Sequence, residues 1–261
     1  MRAMVLAAGL GTRLRPLTEH RPKALVEIGG RTLLEITLSR LRAFGISDLI
    51  INVHHFADMI LEYLKAHGNF GMRIEVSREE VLLDTGGGLK KAGWFFLEDS
   101  AEEDQPFLLH NVDVLSTVDF GAMVQAHKKN RALATLAVQR RETSRYLLFD
   151  EDSRLCGRRV MPRGEADRIG RPALQRQADE MVRSARPVEP LAFSGIHVIS
   201  PRLLTLMKEE GIFSIIDLYL RLAGQGEEIS GFRGDRYYWR DLGKLEQVEK
   251  AEEDFRSGLF S

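Results

Sequence analysis

The sequence predicts an α/β fold: a mainly parallel, mixed, Rossmann-like sheet covered by helices on both faces, with a small β-rich lid region. Three observations carry this. A short apolar strand, Met4-Val5-Leu6-Ala7-Ala8, runs straight into a basic glycine loop, Gly9-Leu10-Gly11-Thr12-Arg13. Strand-like and helix-like segments then alternate through the first half, the signature of a parallel sheet with helical crossovers. From Arg140 onward the pattern changes to a hairpin and a polar stretch rich in proline and glycine before strands and helices resume.

Taken in order, Thr32 to Phe44 carries Leu33, Ile36, Leu41 and Phe44 at helical spacing and stops at Gly45. Asp48 to Val53 is an apolar strand, Ala57 to His67 a helix, and Met72 to Ser77 an alternating strand. Gly86 to Phe96 opens a helix, and Phe107 to His110 is a buried strand ending at Asn111-Val112-Asp113. Asp119 caps a helix running to Lys129, followed by a strand from Leu133 to Gln139. Arg145 to Asp150 and Arg154 to Gly157 flank Glu151-Asp152-Ser153 as a hairpin. The segment to Pro190 reads as an insertion or lid, with Pro162, Gly164, Gly170, Pro172, Pro187 and Pro190. Leu191 to Ile199 resumes as strand, and helices follow after Pro201 and from Ser214 to Ala223. Strands at Ile229 to Phe232 and Tyr237 to Arg240 and a helix from Lys244 to Phe255 close the chain. The expected organisation is one domain over 1–261: a ligand-binding half (1–140), a second half (141–243) with the insertion at about 158–190, and a C-terminal helix (244–261).

The 261 residues are 44% hydrophobic and 29% charged, with formal net charge -1 and pI near 6.7. This is ordinary globular composition, and nothing in it points to nucleic acid or an anionic membrane. No apolar run approaches the roughly 18–20 residues that span a bilayer. Ala3 to Leu10 after Arg2 faintly resembles a leader, but no small-residue cleavage site follows. Cys156 is the single cysteine, which excludes an internal disulfide and fits a reducing cytoplasm.

A polyanionic ligand must therefore meet a local basic cluster. Gly9 and Gly11 allow close approach of bare backbone, and Arg13, Arg15 and Lys23 add charge within one loop, an arrangement suited to a polyphosphate. The loop is neither G-x-x-x-x-G-K-[ST] nor a complete G-x-G-x-x-G, since Leu14 takes the third glycine position. Ligands in such sheets gather at the carboxyl ends of strands, where Gly9–Arg13, His54–His55 and Asn111–Asp113 all fall. Asp113 and Asp241, each at a strand end, are candidate ligands for Mg²⁺, which one or two carboxylates and substrate phosphates commonly hold. Gly86-Gly87-Gly88 at a helix start suggests a flat ligand on bare backbone, with Glu79 as acceptor for a ring N–H. His54 and His55 read as exposed loop residues. Arg158, Arg159, Arg163 and Arg168 read as solvated or as guides for an anionic substrate. No zinc spacing occurs.

Gly9-Leu-Gly-Thr-Arg-Leu-Arg-Pro-Leu-Thr18 with Pro22-Lys23-Ala-Leu-Val26 resembles the signature of the sugar-phosphate nucleotidylyltransferases. So do Leu109-His-Asn-Val-Asp113, Trp239-Arg-Asp-Leu-Gly243 and Phe193-Ser-Gly-Ile196. The glycine run and short C-terminus are most similar to the N-acetylmuramate 1-phosphate uridylyltransferase branch. The resemblance implies in-line attack of a sugar 1-phosphate oxygen on the α-phosphorus of an NTP, UTP favoured, releasing pyrophosphate. It implies that Arg13 holds the departing pyrophosphate and that Lys23 bridges the α-phosphate and the sugar phosphate. By the same resemblance Asp113 and Asp241 would hold Mg²⁺, Ala8, Gly9, Gly11, Thr12, Arg13, Glu79, Gly86 and Gly87 would bind the nucleotide, and Asn111, Ser194 and Gly195 would touch the sugar. Val112 replaces the family's glycine before the metal Asp, Tyr146-Leu147 replaces Tyr-Gly, and Val160-Met161-Pro162-Arg163 replaces a Glu-Lys-Pro-like run. Alternatives are mannose 1-phosphate guanylyl transfer from GTP, a glycosyltransferase of related fold, and a non-catalytic nucleotide-sugar-binding subunit. Oligomeric state is not readable.

Overall fold

The structure, a computed structural model, describes residues 1–97, 105–161, 178–184 and 187–260. Strand β1 (Ala3–Leu6) leads through the basic loop to a small antiparallel ribbon, β2 (Glu27–Ile28) and β3 (Arg31–Thr32), and to helix α1 (Leu33–Ala43). The Thr32 hydroxyl caps α1 by accepting from the Glu35 amide at 3.1 Å. Next come β4 (Asp48–Val53), α2 (Ala57–Ala66), β5 (Arg73–Arg78), α3 (Asp84–Ala92), the short α4 (Trp94–Leu97), β6 (Phe107–Asn111) and β7 (Val114–Ser116). The helix expected over 86–96 is thus two helices divided at Gly93. Helix α5 (Phe120–Asn130) starts at Asp119, whose carboxylate accepts from the Ala122 amide as the sequence predicts. It leads to β8 (Ala134–Gln139), the hairpin β9 (Arg145–Phe149) and β10 (Leu155–Val160), then β11 (Ala178–Met181) and the long β12 (Glu189–Ile199). The chain ends with α6 (Arg202–Thr205), α7 (Ile215–Gly224), β13 (Ile229–Arg233), β14 (Trp239–Asp241) and α8 (Leu245–Arg256).

One sheet runs through both halves in the order β11-β10-β9-β12-β6-β1-β4-β5, with β8 beside β12 and β13 beside β8. β5, β4, β1 and β6 are mutually parallel; β12 lies antiparallel to β6, β8 and β9. Alternate residues of β1 serve opposite layers: Ala3 and Val5 enter the core beneath α1 and α2, Met4 the core beneath α3 and α7. That two-sided burial explains why these strands read as continuous apolar runs rather than alternating ones. β11 pairs with β10 inside the stretch expected as an insertion; its residues 162–177 and 185–186, including Pro162, Arg163, Arg168 and Pro172, lie outside the described residues. Among the described residues, no helix is long and apolar enough to cross a membrane.

Candidate active site

The carboxyl ends of β1, β4 and β6 meet at one cleft. At the end of β1 the Ala7 amide donates to the Asn52 carbonyl at 3.2 Å and to Asn52 Oδ1 at 2.8 Å. Gly11 adopts φ +65, and a Cβ there would lie 3.0 Å from Thr18 Cγ2 and 3.2 Å from Lys23 Cβ. Glycine is therefore required both by conformation and by crowding. The Thr18 hydroxyl donates to the Gly11 carbonyl at 2.8 Å, and buried Leu14 anchors the 3-10 turn Thr12–Leu14. This leaves Arg13 exposed, with its guanidinium against Gly243: a Cβ on Gly243 would stand 2.8 Å from Arg13 Nη2.

β14 lies antiparallel to β7 with Asp241 opposite Val114, and the Leu242 amide donates to the Asp113 carbonyl at 2.9 Å. The two acids distant in sequence are thereby brought together. Lys23, 8% exposed, forms an ion pair with Asp113 Oδ2. Asp241 Oδ1 accepts from the Gly243 amide at 2.6 Å. Burial, and then the charge of Asp113, push the Asp241 carboxyl above its ordinary range; Lys23, the Gly243 amide and Arg13 act in the opposite sense. Two carboxylates that repel one another in a half-buried cleft fit a hard divalent cation. Among the described residues no group of three or more His, Cys, Asp or Glu could hold a metal. A cation here would complete its shell with water and phosphate oxygens, as Mg²⁺ does.

Beside this pair lies a pocket of about 390 Å³ lined by Ala8, Gly9, Glu79, Thr85, Val112 and Ile212, among others. No atom lies within 4 Å of a Cβ built on Gly9, so bare backbone borders open space there. Glu79, 2% exposed, accepts from Asn52 Nδ2 at 2.7 Å and from the Leu83 amide at 2.9 Å. It ties two walls of the pocket together. His54, expected to be solvated, is half-buried, and its Nδ1 lies 2.8 Å from the Glu79 carbonyl oxygen. His55 is exposed.

The triple glycine has a different cause from the one expected. A Cβ on Gly86 would lie 2.4 Å from the Phe213 ring, on Gly87 2.5 Å from the Gly211 carbonyl oxygen, and on Gly88 2.8 Å from Asn52 Nδ2 and Glu79 Oε1. The Gly86 and Gly87 amides both donate to the Phe213 carbonyl, at 3.0 and 3.3 Å. Protein rather than ligand occupies the space that these side chains would take. Asp84 and Thr85, immediately before the run, line the pocket instead.

On the other side of the acid pair a larger cleft, about 890 Å³, is lined by Arg13, Asn111, Ser194, Gly195, Tyr146, Arg141, Trp239 and Asp241, with others. Gly195, at φ +72, sits where the register of β12 shifts against β8. A Cβ there would be 2.9 Å from Val114 Cγ2 and 3.0 Å from Asn111 Nδ2. Ser194 Oγ and Asn111 Oδ1 are buried with no partner. Trp239 Nε1 donates to the Ser194 carbonyl at 2.8 Å, and the Arg141 guanidinium stands 3.5 Å from the centroid of the Trp239 ring. Arg141 Nη2 donates to the Phe193 carbonyl at 2.5 Å, while its Nε is buried without a partner. Burial pushes the Arg141 guanidinium down to about 10. Sequence reasoning missed Arg141; the available signal was a basic residue just beyond the carboxyl end of β8. Arg158 and Arg159, expected to be solvated or to guide an anion, are ion-paired, the first with Glu180 and Asp217 and the second with Asp179. Val112, where the family has glycine, is 4% exposed and joins the core beside Val114.

The model of the family described as Nucleotidyl transferase matches residues 2–258. The chain belongs to that family. It is a sugar-1-phosphate nucleotidyltransferase. The N-acetylmuramate alpha-1-phosphate uridylyltransferase of Caulobacter vibrioides is 37% identical over 229 residues, 86% of this chain and 85% of that one. The mannose-1-phosphate guanyltransferase of Yarrowia lipolytica is 36% identical over 148 residues, 56% of this chain but 40% of its own length. Among solved structures, HddC from Yersinia pseudotuberculosis complexed with GMP-PN superposes with TM-score 0.69 at 21% identity, covering 97% of this chain and 99% of that one. A UDP-glucose pyrophosphorylase complexed with UDP-glucose gives TM-score 0.70 at 15% identity, covering 98% of each chain.

Proposed function

We propose that the chain transfers a uridylyl group from UTP to a sugar 1-phosphate, N-acetylmuramate 1-phosphate foremost, releasing pyrophosphate. One observation carries this reading. The uridylyltransferase relative matches along 86% of the chain, whereas the guanyltransferase relative matches along 56%. In this reading the base lies in the pocket beside Ala8, Gly9 and Glu79, and the sugar lies in the larger cleft beside Asn111, Ser194 and Gly195. The phosphates lie between them, over Lys23.

An oxygen of the sugar phosphate forms the new bond to the α-phosphorus while the α–β bond breaks and pyrophosphate leaves. Asp113 and Asp241 would hold Mg²⁺, which when bound neutralises phosphate charge and polarises the reacting centre. Lys23 lies against Asp113 and spans the α-phosphate and the sugar phosphate. Arg13 is free at the loop surface to hold the departing pyrophosphate. Gly11 and Thr12 shape that loop, and Asn52 and Glu79 fix the base wall. Catalysis here is positioning and charge neutralisation rather than covalent work by the protein. GTP is the second reading, favoured by the guanyltransferase relatives and the GMP-PN complex of the structural neighbour.

Pyrophosphate release, measured for UTP, GTP, CTP and dTTP against N-acetylmuramate, N-acetylglucosamine, glucose and mannose 1-phosphates, tests the proposal. UTP with N-acetylmuramate 1-phosphate is expected to give the highest kcat/KM. Preference for GTP with mannose 1-phosphate would select the second reading.

A further inference from the structure

We infer that Arg141 anchors the sugar substrate by holding one of its oxyanions over the face of Trp239. The inference rests on the proposed reading of the larger cleft as the sugar site. It begins from how the cations of that cleft are partnered. Arg158 and Arg159 are paired with carboxylates, Lys244 with Glu246, and Arg13 and Arg145 are exposed. Arg141 differs from all of them. Among the described residues it has no carboxylate within ion-pairing distance, and its Nε is buried without a partner.

A half-buried cation without a counter-charge is unfavourable unless something of opposite charge completes it. Asp241 is the acid whose charge reaches Arg141, but in this reading it is committed with Asp113 to the metal. The guanidinium is also held in place. The Phe193 carbonyl fixes Nη2 at 2.5 Å, and Trp239 supports its face at 3.5 Å. Trp239 is itself tied to the Ser194 carbonyl. A planar, pre-positioned guanidinium suits both carboxylate and phosphate.

The neighbouring orphans point the same way. Ser194 Oγ and Asn111 Oδ1, buried and unpartnered on the same cleft, offer a hydroxyl and an acceptor to a ligand rich in hydroxyl groups. An anion beside hydroxyls describes a sugar phosphate. The oxyanion is either the 1-phosphate itself or a carboxylate borne by an acidic sugar such as N-acetylmuramate.

Two measurements test this. The chain has two tryptophans, so in Trp94→Phe the residue under Arg141 is the only one, and its fluorescence reports sugar 1-phosphate binding without turnover. Titration with N-acetylmuramate 1-phosphate and N-acetylglucosamine 1-phosphate is compared in that background with Arg141 retained, Arg141→Lys and Arg141→Gln. Loss of a charged hydrogen bond predicts roughly 10- to 100-fold weaker sugar binding in Arg141→Gln and a smaller loss in Arg141→Lys. In steady state the same substitutions should raise the KM for sugar and leave the KM for UTP unchanged. Equal losses for both sugars assign the oxyanion to the phosphate, and a loss confined to N-acetylmuramate 1-phosphate assigns it to the carboxylate. Unchanged sugar affinity in Arg141→Gln, with or without a fall in melting temperature, would overturn the anchor. So would a failure of Trp239 fluorescence to respond to either sugar phosphate. Binding without turnover would instead overturn the proposed function and leave the anchor standing.

Discussion

Lys23 and Asp113 form an ion pair in a cleft where Asp241 is the neighbouring acid. The lysine offsets carboxylate charge in this cleft, as a divalent cation held by the two acids would. Lys23→Met removes that charge and leaves two repelling carboxylates. Turnover should fall about 10²–10³-fold, the usual loss for one charge stabiliser. The increase in melting temperature on adding Mg²⁺ should be larger in the variant than in the wild type, because the ion replaces the missing charge. Differential scanning fluorimetry with and without Mg²⁺ checks this; an identical Mg²⁺ shift in both proteins would contradict it.

Glu79 is placed to order the pocket proposed for the base rather than simply to face solvent. Glu79→Ala leaves Asn52 Nδ2 and the Leu83 amide, whose partners it supplies, without acceptors. Each such group costs about 1–3 kcal/mol when buried. The KM for NTP should rise and the melting temperature fall, while the KM for sugar 1-phosphate stays near that of the wild type. Steady-state kinetics in both substrates separates these effects.

The glycine run predicts two different failures. Gly86→Ala drives a methyl into the Phe213 ring and toward its carbonyl oxygen at 2.9 Å, an overpacking that typically costs about 1–3 kcal/mol. Its main effect should be on chemical denaturation midpoint. Gly88→Ala meets Asn52 and Glu79 at 2.8 Å and so should disturb the base wall and raise the KM for NTP.

Two buried histidines set an acid limit on stability. Burial pushes both His110 and His197 down to about 3, and the Arg40 guanidinium adds to this at His110. Their unfolded values lie near 6.5. Between these values the unfolded chain binds protons that the folded chain does not, so stability rises with pH up to about 6.5 and is flat above it. Each histidine contributes about 1.4 kcal/mol per pH unit in that window. Urea denaturation from pH 7.5 to 5.0 should show this slope. His197→Gln, which replaces the partner of Tyr219, should reduce the slope by about half of the two-histidine share.

What was legible in the sequence was local. The apolar run before Gly9, the cap Asp119, the helix beginning at Ser214, and the charge of Arg13 and Lys23 are all properties of short windows, and the structure has the strand, helices and loop they describe. What was not legible depended on partners far along the chain. β7 is three residues long and is defined by its pairing with β14. The triple glycine looked like a ligand platform because Phe213 and Gly211, which fill its space, are remote in sequence. Arg141 gave little signal by itself, because its role follows from Trp239 and Phe193. The part hidden by sequence distance is the cleft proposed for the sugar, where Arg141, Ser194 and Trp239 meet.

The central claim is that Asp113 and Asp241 jointly hold a divalent cation beside Lys23 during nucleotidyl transfer. The most direct test is pyrophosphate release by Asp241→Asn, titrated with Mg²⁺ alongside the wild type, with folding verified by melting temperature. The account predicts a folded variant, at least as stable as the wild type without metal because a repulsion is removed, whose turnover is about 10²–10³-fold lower and whose Mg²⁺ requirement is much weakened in affinity. A folded Asp241→Asn with wild-type turnover and an unchanged Mg²⁺ midpoint would contradict it.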